Sequence, residues 1–299
     1  MLLKTFLLPL LTPLLSHAIF YESPNLNTIE DTNSIKLIKQ SKGIALKVRK
    51  RNLRLITIEN KLYFRIKYVH IRNINLGLDD SSQEFLCSNE LHRNQPSVGG
   101  CTGFLVGKKL LATAGHCHYD TECHLYSWIF NYNQSTKRDD ENLYFPKEDV
   151  YNCEAPVFHD LDFRVLSDIA VFRLSRDVKQ PYVFKMDLNY KPIPNDRVYV
   201  LSHPLGMPLM ASTKGKVNFQ ETNMYMRVKV DMFPGSSGAP LLNYKNGKVI
   251  GVLVRGEEDF IRNDKKACFK HRVCLKKDDC QGGDFSSLNI LKNVDLNSM

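Results

Sequence analysis

Short apolar runs broken by turn residues recur along most of the chain. Residues 53–58 and 62–71 are rich in β-formers and partly alternate between apolar and polar positions. From Glu84 onward the runs shorten. Cys101 to Gly107 and Leu110 to Cys117 flank Gly107-Lys108-Lys109, which has the composition of a hairpin turn. Residues 126–130, 169–174, 198–201 and 225–230 are each strand-like, and 241–244 and 249–254 enclose Lys245-Asn246-Gly247-Lys248, a second hairpin signal. One short helix is expected near 288–294, and no repeat or long helical period is visible. Many short strands at fairly even spacing predict an all-β barrel or sandwich.

The first eighteen residues depart from this pattern. Lys4 gives a positive start, 6–15 is an apolar run holding Pro9 and Pro13, and Ser16-His17-Ala18 offers small residues for cleavage. Residues 1–18 therefore read as a secretory signal peptide, because the run is too short to cross a bilayer as a helix, and no later segment is long and apolar enough to do so. The expected product is a soluble protein, extracellular or periplasmic. Residues 19–80 read as a propeptide or N-terminal extension, Asn/Ser/Thr-rich and loose to about residue 40. Lys47-Val48-Arg49-Lys50-Arg51 then reads as either a processing site or a charged turn between strands. The main domain is assigned to 81–299, with a division near 176–195.

Composition narrows the class. Hydrophobic residues make up 43% of 299, enough for a real core, and eight cysteines fit disulfides in an oxidising compartment. The net charge of +9 combines 41 basic with 32 acidic residues spread along the chain, which describes a solvated basic surface and not a nucleic-acid binder.

The chemistry centres on Gly235-Ser236-Ser237-Gly238-Ala239-Pro240. Glycines around a serine allow a sharp turn and close approach of a substrate carbonyl, and the amides of Gly235 and Ser237 can converge as an oxyanion hole. Gly/Ser turns are common, so a catalytic reading requires a histidine base and an orienting carboxylate elsewhere. His116, in Thr113-Ala114-Gly115-His116-Cys117, ends an apolar strand, and a disulfide between Cys101 and Cys117 would clamp the hairpin that carries it. Asp168 opens the apolar run Asp168-Ile169-Ala170-Val171-Phe172, whereas Asp160 and Asp162 do not lead directly into a buried strand.

The order His, Asp, Ser, with Thr-Ala-Gly-His-Cys, Ser-Asp-Ile-Ala-Val and Gly-Ser-Ser-Gly-Ala-Pro around them, resembles the chymotrypsin/trypsin-like serine peptidases. Within them it is similar to the secreted bacterial trypsin-like and glutamyl-endopeptidase-like branch, which Cys101 to Val106 and Ser202 to Pro208 also resemble. The resemblance implies two packed six-stranded antiparallel β-barrels, disulfide-stapled, with His116 and Asp168 from the first and Ser237 from the second. It implies no cofactor, and protein or peptide substrates. It places Asp231, Val254 and Gly256 as substrate-binding positions. Asp231 stands where trypsin-like enzymes keep the carboxylate that binds Arg or Lys, so cleavage after basic residues is one expectation. Leu253 stands where glutamyl endopeptidases use histidine, which disfavours glutamate specificity, although Arg255 could attract an acidic group. The chain departs from trypsins at Ser236, where they carry the aspartate that pairs with a newly cut N-terminus, and it lacks their Ile-Val-Gly-Gly segment.

Three further features were weighed. His203, in His-Pro-Leu-Gly-Met-Pro, reads as part of a tight connection. His116, Cys117, His118, Cys123 and His124 are dense in metal ligands, but export and the rival partner for Cys117 tell against zinc, and no metal is assigned. Cys123 is then paired with Cys153, and Cys87, Cys268, Cys274 and Cys280 form two bridges of open connectivity. Asn133-Gln134-Ser135 is a glycosylation sequon. The reading is a secreted, monomeric serine endopeptidase. The competitors are an inactive homologue acting as a binding protein, and an esterase, which the order of the three residues disfavours.

Overall fold

The computed structural model describes residues 20–21, 23–76, 85–118, 123–162, 167–220, 224–275 and 277–294. The proposed signal peptide, the boundary near residue 81 and the C-terminal five residues lie outside them. The strands form two antiparallel barrels. In the first, the order is Tyr126–Phe130, Val150–Asp162, Ser167–Leu174, Leu110–Thr113, Thr102–Leu105 and Ile44–Arg49, which returns to Tyr126–Phe130. In the second, Arg197–Ser202, Pro240–Asn243, Val249–Arg255, Gly283–Ser287, Tyr225–Lys229 and Met210–Gln220 close on Arg197–Ser202, and Leu26–Thr28 adds a seventh strand on Met210–Gln220. Six staves per barrel leave an interior just wide enough for side chains. Trp128, Phe130, Tyr151, Phe172 and Leu111 fill one part of the first, and Met210, Met226, Val228, Leu241 and Phe285 fill the second.

Part of the region 19–80, read as a possible propeptide or N-terminal extension, packs into the barrels. Ile44–Arg49 is a stave of the first barrel, in register with Tyr126–Phe130 on one side and Thr102–Phe104 on the other. Its sequence hid this because Lys47 and Arg49 looked like a basic turn. Lys47 is in fact buried, donating from Nζ to the Cys117 carbonyl, with the ammonium 3.6 Å from the Tyr126 ring centroid. A lysine stem can line apolar surface when its head finds an acceptor and an aromatic face. The segment before it is also folded. Ser34 caps the helix Ile35–Ser41 by accepting from the Leu37 amide, and Gln40 accepts from the Tyr199 hydroxyl at 3.0 Å in the second barrel.

All eight cysteines are paired, as Cys87–Cys268, Cys101–Cys117, Cys123–Cys153 and Cys274–Cys280. The first joins residues 181 apart and anchors the loop before the first barrel's hairpin to the C-terminal region. Residues 288–293 form a 3-10 turn where a short helix was expected.

A chain beginning at Asn52, the product of cleavage after the basic run, lacks one stave of the first barrel. It is expected to show no cooperative thermal transition by near-ultraviolet circular dichroism. A sharp melt close to that of the longer chain would overturn the barrel assignment.

Candidate active site

His116 sits on the 3-10 turn Gly115–His118 that ends the hairpin, and three contacts fix that turn. Cys117 is bonded to Cys101, the Lys47 ammonium donates to the Cys117 carbonyl, and His159 Nε2 lies 3.0 Å from the Gly115 carbonyl and 2.7 Å from that of His118. Gly115 admits no side chain, since a Cβ there would stand 2.5 Å from the Asp160 carbonyl. Asp168, buried at the mouth of Ser167–Leu174, accepts twice from the same residue: Oδ1 from the His116 amide at 2.8 Å and Oδ2 from His116 Nδ1 at 2.7 Å. Both oxygens are thus used to fix the imidazole's orientation. Asp160 instead accepts from the Ser167 hydroxyl, as a side-chain brace beside Asp168.

Ser237 lies between two glycines of positive φ, Gly235 at +88° and Gly238 at +86°. The second is obligatory, because a Cβ on Gly238 would meet the Thr102 carbonyl and the Thr113 hydroxyl at 2.1 Å. Among the described residues, the amides of Gly235 and Ser237 donate no hydrogen bond within the chain. The turn is held to the first barrel by Thr102, whose amide donates to the Ser237 carbonyl at 2.7 Å and whose hydroxyl donates to the Gly235 carbonyl at 3.0 Å. Cys117 Sγ is 3.7 Å from the Ser237 carbonyl oxygen, so the serine's own backbone abuts the residue next to His116. Ser236 is fully buried with its hydroxyl 3.1 Å from that of Ser202, a neutral contact where trypsins bury an ion pair.

The family is decided by the sequence that spans these elements. Residues 101–252, just over half of the chain, match the family described as "Trypsin-like peptidase domain". The chain belongs to the trypsin-like peptidases. Over 25 residues it is 64% identical to a glutamyl endopeptidase of Bacillus licheniformis, a stretch that is 8% of each chain. It also overlays the VesB protease of Vibrio cholerae with a TM-score of 0.46 at 10% identity, covering 84% of this chain and 61% of that one. The chain therefore matches less than two thirds of either relative's length.

Not every expected site residue of this trypsin-like peptidase converges. The structure brings His116 and Asp168 into direct contact, with Gly235 and Ser237 beside them across the barrel junction. Asp231 has another occupation: it is 3% exposed, and its two oxygens accept from the amides of Tyr21 at 2.8 Å and Asn25 at 2.6 Å. The N-terminal segment thus runs over the position expected to read a basic side chain. Burial pushes the Asp231 carboxyl up to about 6, with the two amides and Lys214 opposing. Val254 is buried in the core and Gly256 follows directly on Val249–Arg255. Arg255 is engaged by Asp284, which also holds Arg227.

Two other histidines, His203 and His118, are buried in packing. His203 donates from Nδ1 to the Met207 carbonyl at 2.9 Å and stacks on Tyr132, and burial lowers it to about 4, so it stays neutral. His118 is buried among Tyr126, Trp128 and Phe172, and burial beside Lys47 lowers it to about 3. The sulfurs of Cys101 and Cys117 lie close to His116, but they are joined as a disulfide and offer no thiolate to a metal. Sequence reasoning missed Thr102 and Lys47. A threonine buried at the first position of a strand carries no sequence signal of its own.

Thr102→Val keeps the shape and removes the hydroxyl that serves Gly235 and His203, leaving two buried groups unpartnered. It is expected to lower stability by about 1–3 kcal/mol in a denaturant titration, with Thr102→Ser near the parent. A parent-like Thr102→Val beside a destabilised Thr102→Ser would show that the methyl group matters and not the hydroxyl.

Asp231 also predicts a pH dependence. Its folded value lies about two units above the ordinary 3.8, so the folded state holds the proton more tightly and its contribution is lost as pH rises from about 4 to about 6. The expected loss is up to about 3 kcal/mol. Asp231→Asn is expected to flatten that part of the stability profile, and an unchanged slope would remove Asp231 as its source.

Proposed function

We propose that the chain is a secreted serine endopeptidase of the glutamyl-endopeptidase-like branch, exported by a leader over residues 1–18. In this reading Ser237 attacks the scissile carbonyl while His116 takes its proton. The tetrahedral intermediate then expels the amine, protonated by His116, and water hydrolyses the acyl-enzyme by the same steps in reverse. Asp168 sets the imidazole tautomer and stabilises the imidazolium. The amides of Gly235 and Ser237 receive the oxyanion, each worth about 3–4 kcal/mol in comparable sites. The observation that carries the reading is the pair of hydrogen bonds from His116 to Asp168 beside a Gly-flanked serine turn with unengaged amides. The 25-residue identity to a glutamyl endopeptidase supports the branch.

Residues 20–49 belong to the working enzyme in this proposal, since they supply a stave of one barrel and the cover over Asp231. Cleavage after Arg or Lys is not carried forward, because both Asp231 oxygens already accept backbone amides. Nor is a strongly acidic preference, because the charge of Arg255 is met by Asp284.

Cleavage of a randomised peptide library, read by mass spectrometry, tests this directly. Ser237→Ala is expected to lose at least a thousandfold in kcat and to abolish labelling by a fluorophosphonate, with its melting temperature unchanged. Retained turnover would sink the triad, and a parent enzyme that neither labels nor cleaves would establish the binding homologue instead. Cuts clustered after Arg or Lys would restore Asp231 to the substrate pocket.

A further inference from the structure

On the outside of the second barrel, three cations stand in cross-strand register on adjacent strands. Arg197 is opposite Lys216, and Lys216 is opposite Lys229. Lys214 lies two residues along the middle strand, on the same face. Like charges directly opposite across strands are destabilising. Among the described residues none of the four is paired with a carboxylate. Arg197 is braced over the Tyr244 ring, 3.8 Å from its centroid, a contact that leaves its charge in place. No nearby carboxylate reaches them: Asp196 accepts from the Tyr190 hydroxyl, Asp231 is buried under Tyr21 and Asn25, and Asp278, the one carboxylate in the described lining of the cavity below, accepts from the Leu275 amide.

The second observation is shape. All four cations line one cavity of about 590 Å³, whose lining also includes Tyr21, Cys274, Leu275 and Asp278. That volume falls within the range of small-ligand sites. Asn195 and Asn218 add amide groups to the lining. With strands about 4.8 Å apart, the outer two cations of the register are about 10 Å apart, so the cavity presents spaced positive charges and not one focus.

We propose that this cavity is a binding site for a multiply sulfated oligosaccharide, separate from the serine site. Spaced ammonium groups match anionic groups repeated along a chain, and the asparagine amides match hydroxyls between them. A nucleic acid is the weaker fit, because among the described residues Tyr21 is the only aromatic lining the cavity and its hydroxyl is bonded to Glu257, which leaves the described lining without a stacking platform. The burden of like charges in register is relieved when an anion binds. The site is thus expected to be occupied at the expense of salt ions.

The test uses the full exported chain with Ser237→Ala to prevent self-cleavage, and a heparin-derived hexasaccharide as probe, in isothermal titration calorimetry at several salt concentrations. The triple variant Lys214→Gln, Lys216→Gln, Lys229→Gln is compared with Lys265→Gln, Lys266→Gln, Lys270→Gln, which removes the same charge elsewhere. The first is expected to weaken binding at least tenfold and to reduce the slope of log affinity against log salt by about two to three, and the second to change affinity less than twofold. Without ligand the first variant is expected to melt no lower than the parent, because it relieves repulsion. Equal losses in both triples would reduce the effect to net charge and overturn the site. So would an unmeasurable hexasaccharide affinity, or tighter binding to duplex DNA than to the hexasaccharide under the same salt. Inorganic tripolyphosphate competing as well as the hexasaccharide would overturn the saccharide assignment in favour of a simple polyanion site.

Discussion

Thr102 uses every polar atom it has, and most of them reach across the junction between the barrels. Its amide donates to the Ser237 carbonyl, its hydroxyl donates to the Gly235 carbonyl and accepts from the His203 amide, and its own carbonyl accepts from the Thr113 hydroxyl. The residue is fully buried, so each of these bonds replaces water that cannot return. The consequence is positional. The serine turn belongs to the second barrel and the histidine turn to the first, and one side chain sets the distance between them. Gly238 completes the arrangement by letting the backbone come within what would be a steric clash for any other residue.

The same logic extends along the N-terminal segment. Phe20 packs edge-on against Phe233 and beside His271, and the adjacent Tyr21 amide reaches Asp231. The chain from Phe20 to Asn25 therefore takes up a buried carboxylate six positions before Ser237. A charge buried without a counter-ion is costly, and two amide dipoles offset part of that cost while the carboxyl remains shifted upward. The protonation of Asp231 and the docking of this segment are consequently coupled.

Much of this was legible in the sequence, for reasons that differ from place to place. Hairpins with glycine-bearing turns pointed to a barrel or a sandwich, and only the resemblance to trypsin-like peptidases implied two barrels; His116, Asp168 and Ser237 stood out because each sits at a strand end or tight turn whose flanking residues are themselves constrained. Ile44–Arg49 was illegible because a strand with Lys47 and Arg49 does not alternate cleanly, and only the three-dimensional placement of the Cys117 carbonyl and the Tyr126 ring explains how the lysine is buried. The cover over Asp231 was illegible for a related reason. Sequence spacing places its register relative to Ser237, but says nothing about which distant segment crosses it. Disulfide partners 181 residues apart are equally beyond the reach of spacing.

That longest bridge has a bearing on how the molecule ages. Cys87 lies ahead of the first barrel's catalytic hairpin and Cys268 lies in the second half, so any single backbone cut between them leaves the two pieces covalently joined. The connection 175–196 between the barrels falls inside that interval. Connecting segments of this kind are where proteolytic nicking concentrates. Here a nick converts one chain into two without releasing either, and the two barrels stay together with their junction intact. Wear would thus pass unnoticed until the bridge is reduced.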